Sequence, residues 1–183
     1  MINIFILLGL IVFTRDFVYA AEIVKVGNLT LTSAWSRAST SITRPSAVYL
    51  SIQNISSKND SLISVNTPNA REAEIHRHYI DNGIMKMRQV ESIEIPASKM
   101  TTLKPGGFHI MLFDLNTLLK EKDMFPLSLT FEEAGKATIM VRVAKVGARK
   151  VDKNNGLNSH NMKSKSHKEH NDINFKHGSK SAN

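Results

Sequence analysis

The chain contains no cysteine. Without thiols it forms no disulfide, so an exported domain of this size has to stand on packing alone. The same absence removes whole classes of metal centre. A blue-copper electron-transfer site needs a cysteine ligand, and zinc or iron–sulfur centres built on thiolates are equally excluded. Any site for a soft metal must therefore use methionine thioether and histidine imidazole. A bilayer-spanning run is missing at the amino end as well: the apolar stretch from Ile4 to Phe13 is too short to cross. It is followed by Val18 and Ala20, small residues ahead of a cleavage point, and reads as a secretory signal peptide over residues 1–20, cut after Ala20. No Lys or Arg precedes the run, so the amino terminus supplies the positive charge; the alternative is a short membrane anchor.

Positive charge is in excess but unevenly placed. Of the net +8, five units fall beyond Gly147, which leaves the rest of the chain only mildly basic. Neither a basic stripe interleaved with aromatics nor a nucleic-acid reader motif is visible, which argues against nucleic acid as a partner. Helical periodicity is nearly missing, and so is any internal repeat of roughly 20 to 50 residues.

What is there is a succession of short alternating runs. Ile23–Val26, Leu29–Trp35, Ala47–Gln53, Ser61–Val65, Glu72–Ile80, Ile84–Val90, Ile93–Pro96, Thr101–Lys104, Phe108–Phe113, Leu127–Phe131 and Ala137–Val143 read as strands. Turn material parts them, notably Gly27-Asn28, Asp81-Asn82-Gly83 and Pro105-Gly106-Gly107, and Ser36 to Ser46 reads as a loop. Asp114 to Lys120 reads as one or two helical turns capped by Asp114. The pattern predicts an all-β fold, an antiparallel β-sandwich or barrel over residues 21–146. Residues 147–183 have few large apolar side chains and read as a disordered tail. That tail holds His160, Met162, His167, His170 and His177, a compositional hint of metal binding, with a solubilising tail as the alternative.

The chemistry-bearing residues gather between His76 and Met111. Residues two apart on a strand share a face. His109 and Met111 therefore point one way, while Phe108, Ile110 and Leu112 point the other and have the character of a buried face. His76 with His78, and Met85 with Met87, form two further pairs. Asn82-Gly83 favours the positive backbone angles of a tight hairpin, which would lay the strand of His76 beside that of Met87. Taken singly, a methionine on a strand is usually core filling, and a histidine is usually a surface or hydrogen-bonded residue. Taken together, two imidazoles and two thioethers suit monovalent copper, which favours soft ligands and does not require a thiolate. Neutral thioethers need no deprotonation, and they discriminate against zinc.

Ten residues separate His76 from Met87, twenty-one separate Met87 from His109, and Met111 follows at the next-but-one position. In this spacing the sequence resembles the periplasmic copper chaperones known as PCuAC. The surroundings are similar too: Ala34-Trp35-Ser36-Arg37-Ala38, Ala47-Val48-Tyr49, Met85-Lys86-Met87-Arg88 after Asp81-Asn82-Gly83, and Leu103-Lys104-Pro105-Gly106-Gly107 before His109. The resemblance covers residues 21–145. It implies a cupredoxin-like Greek-key β-sandwich in the periplasm, soluble or peripheral to the membrane. It implies Cu(I) near one rim, held by His76, Met87, His109 and Met111. It also implies delivery to assembling copper enzymes, through the copper-site subunit of cytochrome c oxidase or a thiol-containing assembly factor. The sequence departs from the family where members often carry a methionine soon after the first histidine; Arg77-His78 stands there instead. His78 is then either an auxiliary ligand that shifts the site toward Cu(II) or a solvent-facing histidine. Met85 is a spare ligand or, the preferred reading, ordinary packing, and Trp35 is a core or rim aromatic. The tail resembles the His- and Met-containing extensions of some members, which implies a Cu(II) site there.

The function expected is thus that of a metallochaperone, which binds and delivers without catalytic turnover. Two rivals come from other classes. A copper-dependent oxidoreductase would want a second copper centre or a histidine newly exposed at the amino terminus, and cleavage after Ala20 provides none. A β-sandwich interaction module without metal would show the same strand pattern.

Overall fold

The structure is a computed structural model that describes residues 22–149; the expected signal peptide and the tail beyond Arg149, with its candidate ligands His160, Met162, His167, His170 and His177, lie outside the described residues. Eleven strands follow one another with no helix among the described residues: β1 (Ile23–Val26), β2 (Leu29–Arg37), β3 (Ser46–Asn54), β4 (Asp60–Asn66), β5 (Ala70–Asp81), β6 (Ile84–Gln89), β7 (Ile93–Ile95), β8 (Met100–Leu103), β9 (Phe108–Leu115), β10 (Met124–Phe131) and β11 (Gly135–Ala144). Each lies within a few residues of a run that the alternation predicts. The all-β expectation holds.

The strands form one hydrogen-bonded path in the order β6-β5-β9-β3-β2-β11-β10-β4-β7, with β1 on β2 and β8 on β3. Every ladder is antiparallel except β11 with β2, where Arg142, Val143 and Ala144 run parallel to Trp35, Ser36 and Arg37. Ile75 and Ile110 near one end of the path and Leu62, Ile93 and Ile95 at the other belong to the same buried cluster, so the open sheet folds back on itself around a single core. Each such side chain contributes roughly 1.5–3 kcal/mol when taken out of water. In the absence of disulfides, buried polar groups tie the connections. The Asn54 amide donates to the carbonyls of Lys58 and Ile95 and accepts from the Ser56 backbone and hydroxyl. The Asp60 carboxylate accepts from the backbone N–H groups of Glu133 and Ala134, which pins the β10–β11 turn.

One irregularity matters for the site. Pairing of β2 with β3 slips between Thr32 and Trp35, and Ser33 sits there at φ 55°. Before this bulge Leu29 and Leu31 face the core; after it Ala34 does, and Trp35 turns to the opposite face to stack on Tyr49 with ring centroids 4.6 Å apart. Trp35 is thereby a buried aromatic of a second, smaller cluster and not of the main core.

The expected helical turn at Asp114 to Lys120 is absent. Strand β9 continues through Leu115, which pairs with Ala70, while Asp114 takes φ 49° and binds Arg71 through its carboxylate. Leu115 and Leu119 are both buried, at the four-residue spacing of a helix face, but an extended chain buries them.

Candidate metal centre

The hairpin that organises the site is set by two residues. Asn82 and Gly83 hold φ 50° and 77°, the two positive values of a type I′ turn, and Asp81 pairs with Ile84 directly across it. That two-residue turn fixes the register of the whole ladder: Ile80 faces Met85, His78 faces Met87 and His76 faces Gln89. On the other side of β5, His76 faces His109 and Glu74 faces Met111. Met111 in turn faces Ala47 of β3. Side chains opposite one another in a ladder share a face. Glu74, His76, His78, Met85, Met87, His109, Met111 and, two residues on from Ala47, Tyr49 therefore all stand on one face of the sheet.

Within this face His109 is the hub. Its Nδ1–H donates to the Gly107 carbonyl at 3.0 Å, and because a carbonyl only accepts, the neutral ring keeps its lone pair on Nε2. That Nε2 lies 3.0 Å from the Met87 sulfur. A thioether has no proton to donate, so two lone-pair donors are held side by side. In a four-coordinate site with bond lengths of about 2.0 Å to nitrogen and 2.3 Å to sulfur, neighbouring ligands stand about 3.5 Å apart, so the two donors need to part by about 0.5 Å to share an ion. The His76 ring centroid is 6.0 Å from that of His109, and the His78 centroid 4.7 Å. His76 donates Nε2–H to the Glu74 carboxylate at 2.6 Å, which leaves its Nδ1 buried and without a partner; Nδ1 of His78 is also buried and unpartnered. A carboxylate behind a histidine is the arrangement that fixes ring orientation and raises the basicity of the other nitrogen in metal sites.

The floor is apolar and aromatic. Tyr49 lies 6.4 Å from His109 and Phe113 lies 5.9 Å from His76, centroid to centroid. Burial pushes the His109 imidazolium to ionise below the usual histidine value; the Gly107 carbonyl opposes this, and the neighbouring His78 and His76 add to it. Burial also raises the Tyr49 phenol, against the Arg37 guanidinium 5.8 Å above its ring. The ring of donors is therefore neutral near pH 7 at its hub. Three of the four spaced residues are nearly inaccessible, His76 at 8%, His109 at 2% and Met111 at 9%, whereas Met87 on the edge strand β6 is 45% exposed. Met87 is the accessible side of the site, since every residue of β6 is exposed.

The structure thus brings His76, Met87, His109 and Met111 to one face. Met111 is placed by register, opposite Glu74, rather than by a measured contact. His78 is not the solvent-facing residue that one reading expects; it lies against His109. Met85 is not packing either: it is 63% exposed at the hairpin tip, opposite Ile80, which is 74% exposed. Among the described residues no three His, Cys, Asp or Glu side chains group closely enough to hold a metal, so a centre on these side chains as they stand draws on sulfur. Sequence reasoning missed Glu74. The Glu-x-His-x-His alternation was the available signal, since it puts a carboxylate on the face of both imidazoles.

Several known proteins are similar to this chain. A family model described as "Putative lipoprotein LpqE-like" matches residues 29–143. An uncharacterized protein of Rickettsia prowazekii is 30% identical over 100 residues, which are 54% of this chain and 55% of that relative, so the chain spans about half the relative's length. Among solved structures, a copper-bound PCuAC domain from PmoF2 superposes with a TM-score of 0.59 at 24% identity, covering 68% of this chain and 98% of that domain. The Cu(I)-bound form of DR1885 from Deinococcus radiodurans does so with a TM-score of 0.50 at 24% identity, covering 68% of this chain and 81% of its own. At such identities the likeness establishes the fold, that of PCuAC domains. Because the family match runs from the first residue of β2 almost to the end of β11, through the whole sheet face just described, the chain belongs to the LpqE-like family.

Proposed function

We propose that this protein binds Cu(I) on the β6-β5-β9 face through His76, Met87, His109 and Met111 and delivers it, in the periplasm, to a copper enzyme under assembly. The observation that carries this reading is the 3.0 Å approach of the Met87 sulfur to the unprotonated Nε2 of His109, beside a buried His76 whose Nδ1 has no partner. Two thioethers and two imidazoles select a soft monovalent ion. Copper is here the cargo, and the burial of the two imidazoles and Met111 keeps competing water away from it. The copper-bound PCuAC domains of the same fold support the reading. So does the export signal read in residues 1–20.

Delivery follows from ligand exchange. Met87 is the exposed donor and lies on an edge strand, so an incoming ligand can replace it first while the buried histidines still hold the ion. Thiolates bind soft Cu(I) more strongly than thioethers, which favours transfer to a cysteine-bearing recipient, the copper-site subunit of cytochrome c oxidase or a thiol-containing assembly factor. The protein itself performs no turnover on this reading. X-ray absorption of the Cu(I)-loaded protein tests it: the expected shell has two nitrogen and two sulfur neighbours, and Met111→Leu reduces the sulfur count to one. A shell of nitrogen and oxygen alone would sink the assignment.

A further inference from the structure

The site face carries more donors than a four-coordinate Cu(I) ion needs, and one of the extra ones, beside His109, is an imidazole. His78 stands two residues from His76 on β5, directly across the ladder from Met87, with its ring 4.7 Å from that of His109 and its Nδ1 buried without a partner. Met87 reaches from β6 over β5 to place its sulfur 3.0 Å from His109 Nε2. The two side chains thus flank the same imidazole. One is soft and exposed; the other is a harder nitrogen donor that nothing else uses.

From this juxtaposition we propose that the face holds a second donor set, His76, His78 and His109, which takes Cu(II), with His78 replacing Met87. The set presupposes that the face carries copper at all, as proposed above. Its geometry is that of three imidazoles on adjacent strands: His76 and His78 lie about 7 Å apart along β5, and His109 is directly opposite His76, about 5 Å across the ladder. Imidazole suits Cu(II), whereas thioether selects Cu(I), and Cu(II) outranks zinc and the other divalent ions at a nitrogen site. As they stand, the three rings do not close on one point. Turning them inward requires the Met87 side chain to swing off His109, which its place on an all-exposed edge strand permits. Glu74 holds the His76 ring in either state through its 2.6 Å hydrogen bond. One face then accepts either oxidation state by exchanging Met87 for His78 and releasing Met111.

The test uses the full chain in which His160, Met162, His167, His170 and His177 are changed to alanine, so that Cu(II) bound beyond the sheet does not mask the face. Cu(II) is titrated alone and followed by electron paramagnetic resonance with nitrogen hyperfine detection; Cu(I) is titrated separately against a chromogenic chelator. The parent is expected to show three imidazole nitrogens on Cu(II). His78→Gln should show two and lose at least about 10-fold in Cu(II) affinity, the lower bound set by outer-shell changes at metal sites, while Cu(I) affinity stays within about 2-fold. Met87→Leu should do the reverse. An unchanged nitrogen count and Cu(II) affinity in His78→Gln overturns the second donor set and leaves Cu(I) delivery standing. Failure of the parent to bind Cu(I) overturns delivery instead, and the separate titrations tell the two apart.

Discussion

Replacing Gly83 by alanine tests how far the site depends on a turn that touches no metal. The glycine sits at φ 77°, and a Cβ built there meets nothing within 4 Å, so the substitution adds backbone strain and no clash. An L-residue in the left-handed region costs about 1–2 kcal/mol. The strain is relieved either through global stability or by opening the hairpin, whichever is cheaper. Strand β6 is exposed at every position and lies at the edge of the sheet, so opening it sacrifices little burial. The hairpin therefore absorbs the strain. Because the ladder that starts at the Asp81–Ile84 pair sets the register that brings Met87 to His109, binding copper through Met87 closes the hairpin again and bears that cost. Cu(I) affinity of Gly83→Ala should fall by about 5- to 30-fold, the equivalent of 1–2 kcal/mol, while the denaturation midpoint of the apo-protein hardly moves. Chelator competition and a urea titration on the same protein read the two quantities. A fall in stability by the full amount with unchanged Cu(I) affinity would refute the coupling of turn to site.

Other outcomes are equally definite. Burial holds His109 below its ordinary value of 6.5, so between that folded value and 6.5 the unfolded chain binds more protons and stability rises with pH. The contribution is complete above 6.5 and is lost as pH falls toward the folded value; urea midpoints from about pH 5 to 8 should show this slope, and His109→Gln should flatten it. Glu74→Gln weakens the hydrogen bond that orients His76 and should cost about 10-fold in Cu(I) affinity with little change in the melting temperature. Asn54→Ala leaves the buried Ile95 carbonyl without its donor and should cost about 1–3 kcal/mol of stability. Asn54 lies about 20 Å along β3 from Ala47, so copper affinity of that variant should be unchanged.

The parts of the site that could be read from the sequence are those governed by local rules. Asn82-Gly83 announces a type I′ turn because few residue pairs tolerate two positive φ angles, and the period of two puts His109 with Met111 and His76 with His78 whatever the rest of the chain does. What stayed hidden depends on partners distant in sequence. The bulge at Ser33 sends Trp35 to the site face, and no local signal marks it, since the slip exists only relative to β3. The contact of His78 with His109 is diagonal across the β5–β9 ladder, so it follows from a register that spans more than thirty residues. The burial of His109 and Met111 arises the same way, from a strand, β9, whose partners β5 and β3 are both remote in the chain. Leu115 and Leu119 imitate a helix face, and only the pairing of Leu115 with Ala70 decides for a strand.

A single Cu(I) site with His109 as its hub is the centre of the proposed function. The direct measurement is a competition titration of Cu(I) against a chromogenic chelator, on the protein and on His109→Ala, with a thermal melt to confirm that both are folded. One tightly held equivalent that is lost in the folded variant is the result predicted. Equally tight binding by the variant would contradict it and remove copper from this face of the sheet.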